Sequence, residues 1–165
     1  MDGATYVLDA NVFIEAARRY YAFDIAPPFW ESLVRYAAEG RIQSIDRIKK
    51  ELERGNDELA TWVKTDISDA FTSTDQEDII TSYTAVMGWV YEQDQFTDAA
   101  KADFANGADG WLVAYAMSKG YVIVTHEVLD PSIRRKVPIP NVCGAFGVSC
   151  IDTFAMLREL GVRFS

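Results

Sequence analysis

The chain has 165 residues, of which 49% are hydrophobic and 13% aromatic, and this length suits one domain with a bulky core. No apolar run reaches the roughly 18 residues that a membrane span needs, and the N-terminus lacks the features of a signal peptide, so we expect a cytoplasmic protein. Two cysteines, Cys143 and Cys150, do not make a disulfide framework and are interpreted as small buried hydrophobes.

Strand-like and helix-like segments alternate along the chain. Short apolar, β-favouring runs predict strands at residues 5–8, 41–45, 121–125 and 147–151, with a short edge strand at 162–164. A helix is expected to follow the Pro27-Pro28 break and to end at residue 38. Capping residues, glycines and the spacing of apolar residues predict further helices at residues 12–19, 46–54, 57–64, 75–93, 108–119 and 152–160.

Two of these segments indicate the centre of the fold. The 121–125 run is apolar at almost every position, which is typical of a strand buried on both faces. The 108–119 helix is apolar on nearly all sides, so it is expected to be central. The alternation therefore predicts a single α/β domain over residues 1–165, a three-layer sandwich whose mostly parallel sheet has helices on both faces.

Acidic residues stand at positions where such a sheet binds ligands, the carboxyl ends of its strands. Asp9 directly follows the first strand, and Glu127 comes shortly after the 121–125 strand. Asp109 opens the central helix, and Glu51 lies on the helix after the second strand. Carboxylate oxygens suit magnesium or manganese, and several of them packed together repel one another unless a cation is present.

Each of these acids also has a purely structural interpretation. Asp9 can serve as a helix N-cap, and Asp109 can favour the helix dipole from the first turn. Glu51 can be a solvated helix residue, and Glu127 a loop residue. The case for a metal site therefore depends on the ordered set of four rather than on any member of it.

Four short segments carry a resemblance to a known family. They are YVLDAN at residues 6–11, KEL at 50–52, ADGWLVAYA at 108–116 and IVTHE at 123–127. In order and spacing they resemble the four acidic blocks of the PIN domain, a family that includes the VapC-type ribonuclease toxins of prokaryotic toxin–antitoxin pairs. The segment KVPIPNVC at 136–143 resembles a PIN-like branch of unknown function.

The resemblance implies roles for individual residues. Asp9, Glu51 and Asp109 would be catalytic metal-site carboxylates, and Glu127 would hold the fourth acidic place, where the family more often has Asp. Asn11 and Thr125 match polar positions that orient the site, with residue 44, a serine, as a weaker candidate for the same edge.

The activity implied is metal-dependent hydrolysis of RNA phosphodiesters with magnesium or manganese, by the toxin of a toxin–antitoxin pair. The partners implied are an RNA substrate, an antitoxin protein and a second copy of the chain in a homodimer. No membrane partner is expected.

A histidine, two basic clusters and a group of aromatic residues can also contribute to a site. The single histidine, His126, follows Thr125 and precedes Glu127, and neighbouring positions of an extended chain point in opposite directions, so a direct catalytic role is not favoured. Residues 134–140 predict a basic, proline-containing loop. Basic residues in two clusters can hold phosphates or be merely solvated, namely Arg18, Arg19, Arg134, Arg135 and Lys136. Aromatic residues that can stack on bases or belong to the core are Tyr20, Tyr21, Phe23, Phe29 and Trp30.

Two alternatives to a nuclease stay open at this stage. A PIN-like fold that is weakly active or inactive can serve as a protein-interaction module, and the net charge of −9 is awkward for binding phosphates unless a metal ion or a basic partner offsets it. A phosphatase of the haloacid dehalogenase type also opens with a strand that ends in Asp, but it needs a second Asp two residues on, where this chain has Asn11.

Overall fold

The computed structural model describes residues 3–164. Five short strands form its sheet, and they are β1 (Tyr6–Leu8), β2 (Ile42–Ile45), β3 (Phe71–Thr72), β4 (Val122–Val124) and β5 (Cys150–Ile151). Nine α-helices flank the sheet within the same range, and they are α1 (Ala10–Glu15), α2 (Pro27–Ala38), α3 (Asp46–Glu53), α4 (Glu58–Asp66), α5 (Glu77–Glu92), α6 (Asp98–Asn106), α7 (Asp109–Lys119), α8 (Ile139–Phe146) and α9 (Thr153–Leu160). None of the helices in this range is long and apolar enough to cross a membrane.

The strands lie in the order β3-β2-β1-β4-β5, and every pairing between them is parallel. β1 therefore occupies the centre, with Tyr6 beside Val122 and Leu8 beside Val124 of β4. The chain moves outward from β1 through β2 to β3, and then returns to the other side of β1 for β4 and β5. The order thus reverses between β1 and β4, and in α/β sheets ligands bind at the carboxyl ends of the strands beside such a reversal.

The central elements are buried because their sequences are apolar in nearly all directions. All three residues of β1 are at most 2% exposed. α7 packs against β2 and β4, and α5 packs along its outer side. Gly110 lets α7 approach closely, since a Cβ there would lie 3.1 Å from the rings of both Phe104 and Tyr83. The predicted central helix and buried strand are therefore confirmed, as is the α/β class.

The sequence prediction was wrong or incomplete at several elements. The edge strand expected at 162–164 does not form, and Phe164 instead packs its ring edge-on against Tyr21, at 5.3 Å between centroids. The helix expected at 12–19 begins earlier and continues as a π-helical turn, Ala16–Tyr20. The last strand is shorter than expected, because Gly147 adopts a left-handed conformation that ends the preceding helix.

Three elements were missed. They are β3, α6 and α8. α8 begins at Ile139 inside the basic loop expected at 134–140, and Pro140 stands in its first turn, where proline costs no hydrogen bond. A proline-containing segment predicts a loop, and only the packing of Val142 and Cys143 into the core makes this one a helix.

Candidate functional site

Asp9 is the most buried carboxylate of the predicted set, at 3% exposed. It follows β1, and its backbone N–H donates to the carbonyl of Val124, which continues the pairing of β1 with β4. Asp9 occupies the N-cap position of α1, but its side chain forms no capping hydrogen bond. Its Oδ2 accepts a hydrogen bond of 2.8 Å from the hydroxyl of Thr125. The aspartate is therefore directed across the sheet edge toward the end of β4.

Thr125 organises this edge. Its backbone N–H donates to the carbonyl of Ile151, and its hydroxyl oxygen accepts from the backbone N–H of Glu127 at 3.1 Å while donating to Asp9. One buried hydroxyl thus joins the ends of β1 and β4 to the loop beyond. Ser44, the weaker polar candidate, is also buried, but its hydroxyl donates to the carbonyl of Leu8 and is used within the sheet.

The two aspartates have strongly perturbed acidities. Burial raises the pKa of Asp9 to about 6, opposed by the hydrogen bond from Thr125 and reinforced by the charge of Glu127. Burial also raises the pKa of Asp109 to about 8, and the negative charges of Asp9, Glu127 and Glu51 add to the shift. The four predicted acids therefore act electrostatically on one another, and their full ionisation is unfavourable without a compensating cation.

Glu51 and Asn11 lie at the rim of this site. Both side chains are exposed, Glu51 on α3 and Asn11 in the first turn of α1. Glu51 is near enough for its charge to raise the pKa of both aspartates.

Glu127 is engaged differently from the other acids. Its Oε1 accepts a 2.8 Å hydrogen bond from the backbone N–H of Ile139 at the start of α8, and its Oε2 lies 3.1 Å from Nζ of Lys136. Burial lowers the pKa of Lys136, but this effect is outweighed by Glu127, which raises the pKa through its charge and its hydrogen bond. The charges of Asp109 and Asp9 also raise it, so the pKa of Lys136 is raised overall. A lysine ammonium thus provides positive charge beside the carboxylates.

Lys136 is the residue whose part in the site the sequence did not predict. The sequence places Lys136 in a basic loop, and its approach to Glu127 depends on the loop folding back between β4 and α8. A small cavity of about 100 Å³ is lined by Asp109, Arg135 and Lys136. Basic side chains therefore stand beside the most strongly perturbed carboxyl of the site.

The donor chemistry of the site suits a hard divalent cation, since it offers carboxylate oxygens that repel one another in a partly buried setting. Over residues 3–164, however, no three acidic, histidine or cysteine side chains stand close enough to hold an ion as they are placed. Coordination would therefore require side-chain movement, and Glu127 would have to exchange its contacts with Lys136 and Ile139.

The imidazole ring of His126 contacts residues outside the set of acids. Its Nε2 lies 3.1 Å from the hydroxyl of Thr153, and its ring packs near Tyr20 and Phe154, with centroids at 6.0 and 6.4 Å. The opposite orientation of neighbouring positions that the sequence predicted is consistent with this placement.

The other aromatic residues considered for base stacking mostly belong to the core. Phe29 and Trp30 are buried, and Phe23 stacks on Trp30 at 4.0 Å between centroids. Tyr21 stacks on Phe29 at 4.6 Å, which leaves Tyr20, half-exposed, as the accessible member of the group.

Solved structures share this fold. FitAcB from Neisseria gonorrhoeae matches with a TM-score of 0.53 and 15% identity, covering 89% of this chain and 96% of that one. VapBC2 from Rickettsia felis, bound to a DNA fragment from their promoter, matches with a TM-score of 0.53 and 12% identity, covering 90% and 98%. At such low identity the likeness shows the fold alone, an α/β arrangement with a central parallel sheet.

The sequence itself gives a family. Residues 6–164 match the model of a domain of unknown function, DUF4411, and the chain belongs to that family. No curated protein gives a significant sequence match.

Proposed function

We propose that this chain is a metal-dependent endoribonuclease and the toxin of a toxin–antitoxin pair. The observation that carries the proposal is the position of Asp9 and Asp109. Asp9 follows β1 at the strand-order reversal, Asp109 is near enough for the two charges to interact, and Glu51 and Glu127 add to the repulsion between them. Acidic residues concentrated at this edge are what a hydrolytic metal site requires, and they also account for part of the net charge of −9.

Magnesium or manganese would be held by Asp9 and Asp109, with Glu51 and Glu127 completing the set. When bound, such an ion lowers the pKa of water and stabilises the departing oxygen of a phosphodiester. The hydroxyl of Thr125 fixes the orientation of Asp9 through its 2.8 Å hydrogen bond. Arg135 and Lys136, which line the cavity beside Asp109, are positioned to hold phosphate groups of the substrate.

The fold is consistent with a toxin. The sequence resembles VapC-type ribonuclease toxins, and one matched structure is that of a VapBC complex. An antitoxin and a second copy of the chain are therefore the protein partners that we propose. A basic antitoxin would also offset the acidic total of this chain.

One observation favours a second candidate, a PIN-like protein-interaction module with little activity. Both carboxylate oxygens of Glu127 already have protein partners, Lys136 and the start of α8. If these contacts persist, the metal site has one ligand fewer, and the fold serves to bind a partner.

Cleavage of defined RNAs distinguishes the two candidates. Labelled single-stranded and hairpin RNAs are incubated with the purified chain in Mg²⁺, in Mn²⁺ and in EDTA. Asp9→Asn is compared with Asp24→Asn, the same change in an exposed aspartate of the turn before α2. We expect Asp9→Asn to lower cleavage by about 100-fold or more, because even outer-shell changes at metal sites cost about 10- to 100-fold. Absence of metal-dependent cleavage in the wild type, on every RNA, would favour the interaction module.

A further inference from the structure

The two cysteines contact each other across two elements of the fold. Cys143 lies on α8 and Cys150 on β5, at the edge of the sheet, and their sulfur atoms are 3.3 Å apart. The expectation that both are merely buried hydrophobes holds for Cys143, which is 1% exposed, but Cys150 is only half-buried.

Cys150 is reachable from solvent. It lines an open cavity of about 370 Å³ together with Thr125, His126 and Glu127. The thiol of Cys150 is thus accessible to a small oxidant, and the thiol of Cys143 is buried and in contact with it. This is the arrangement of a reactive cysteine with a resolving partner.

We propose that Cys143 and Cys150 form a reversible intramolecular disulfide when the protein reacts with hydrogen peroxide. The sulfur of Cys150 attacks the peroxide, its O–O bond breaks, and Cys150 becomes a sulfenic acid as one water is released. The sulfur of Cys143 then attacks the sulfur of Cys150, the S–O bond breaks, and a second water leaves with the proton of Cys143. Overall, two thiols give up two electrons and two protons, and one hydrogen peroxide becomes two waters.

The acidities of the two thiols agree with this order of events. The hydrogen bond with Cys143 lowers the pKa of Cys150, against the effects of burial and of the charges of Asp9 and Glu127. The hydrogen bond with Cys150, together with burial, raises the pKa of Cys143. Because the thiolate is the nucleophile, Cys150 is the thiol that reacts first.

Formation of the Cys143–Cys150 disulfide would alter the carboxylate site. A disulfide requires an S–S distance of about 2.05 Å, so the two sulfur atoms, now 3.3 Å apart, must approach each other through side-chain rotation together with adjustment of α8 and β5. The backbone of α8 donates from Ile139 to Glu127, and Ile151 of β5 accepts from Thr125. Both cysteine-bearing elements therefore hold site residues, and we expect oxidation to alter the segment between β4 and α8.

The direct test counts thiols in the full-length protein. Reduced wild type is treated with hydrogen peroxide, quenched, unfolded and titrated with a thiol reagent, and its peptides are mapped by mass spectrometry. We expect both thiols to be lost, a mass decrease of two hydrogen atoms, a crosslinked peptide pair within one chain, and full recovery with dithiothreitol. Two thiols that stay titratable, or that are lost only to sulfinic and sulfonic acids or to crosslinks between chains, would overturn the proposal.

Variants make the test specific. Cys143→Ala keeps the accessible thiol without its partner, so we expect it to form a sulfenic acid that a dimedone probe traps, and no intramolecular crosslink. The wild-type peptide map decides the question even if a variant fails to fold. The double variant Cys143→Ala/Cys150→Ala is the matched control for other effects of peroxide.

Hydrogen–deuterium exchange tests the link to the site. Oxidation should change exchange in residues 125–146 of the wild type and leave the double variant unchanged. Formation of the disulfide with no change in that segment would contradict the proposed link. Neither readout involves RNA cleavage, so the outcome is independent of the proposed nuclease activity.

Discussion

At the scale of single residues, the site is defined by two carboxyl groups whose pKa values the fold raises. Asp109 and Asp9 have pKa values raised to about 8 and about 6, first by burial and then by the neighbouring negative charges. Because an unfolded chain ionises these groups near pH 4, the metal-free native state binds more protons than the unfolded state between about pH 4 and pH 8. Its stability therefore falls as the pH rises through that window.

The variant Asp109→Asn removes this penalty. In EDTA at pH 8 to 9 we expect its Tm to exceed that of the wild type by roughly 3 °C or more, because about 1 kcal/mol shifts Tm by about 2–4 °C at this size. The difference should shrink toward zero as the pH falls to about 4. Thermal unfolding across the pH range is the measurement, with Asp24→Asn as the control. A wild type that is more stable than Asp109→Asn at pH 8 would contradict the assigned strain.

Lys136 supplies positive charge where a metal ion would otherwise act. The lysine of this ion pair is half-exposed although Glu127 is largely buried, so solvent still screens the contact. We expect Lys136→Met to bind Mn²⁺ more tightly by up to about fivefold, corresponding to about 1 kcal/mol, because it frees Glu127 and removes a competing cation.

Titration calorimetry measures this affinity, and Lys119→Met is the matched control. Lys119 forms a similar ion pair, 3.2 Å from Asp78, that belongs to α5 and the end of α7. Weaker Mn²⁺ binding by Lys136→Met than by Lys119→Met would show that the lysine supports the metal rather than opposing it.

At the scale of elements, α7 is the helix that places Asp109. Its second residue, Gly110, is enclosed by the ring of Phe104, which is buried, and by that of Tyr83, which stacks on Trp111 at 3.7 Å between centroids. These rings have little freedom to withdraw. A Cβ at Gly110 would therefore crowd both rings at the start of α7, directly beside Asp109.

Gly110→Ala should destabilise the protein by about 1–3 kcal/mol, because overpacking outweighs the gain in helix propensity. Gly88→Ala is the matched control, since Gly88 lies within α5 and a Cβ there meets no atom within 4 Å. We expect that change to stabilise by about 0.4–1 kcal/mol. Urea unfolding compares the two, and equal effects of the same sign would refute the packing argument.

The predicted and the missed elements differ in how directly their sequences indicate burial. Strands with continuous apolar residues and helices with clear spacing were predicted within a few residues, since burial on both faces or on one face leaves a direct pattern. β3 has only two residues, and α6 consists mainly of alanines and charged residues with one large apolar side chain, Phe104, so neither gives such a pattern. α8 was masked by its prolines, whose place in a first turn is visible only when the turn is known.

At the scale of the whole molecule, the strand order explains why acids distant in sequence lie together. The parallel arrangement brings the ends of β1 and β4 side by side, and α7 begins nearby. The proximity of these acids was predictable because position along an α/β frame implies position at the sheet edge, whereas their role as metal ligands stays a prediction. The contact between Lys136 and Glu127 was not predictable, because it depends on the path of a loop whose sequence has no periodic pattern.

We expect Asp9 and its neighbours to form a site for a hard divalent cation. The most direct test is titration of Mn²⁺ into metal-free protein at pH 8, followed by calorimetry, for the wild type, Asp9→Asn and Asp24→Asn. We expect the wild type and Asp24→Asn to bind Mn²⁺ alike, with proton release on binding, and Asp9→Asn to lose about tenfold or more in affinity. Mn²⁺ binding that is absent from the wild type, or unchanged in Asp9→Asn, would contradict this expectation.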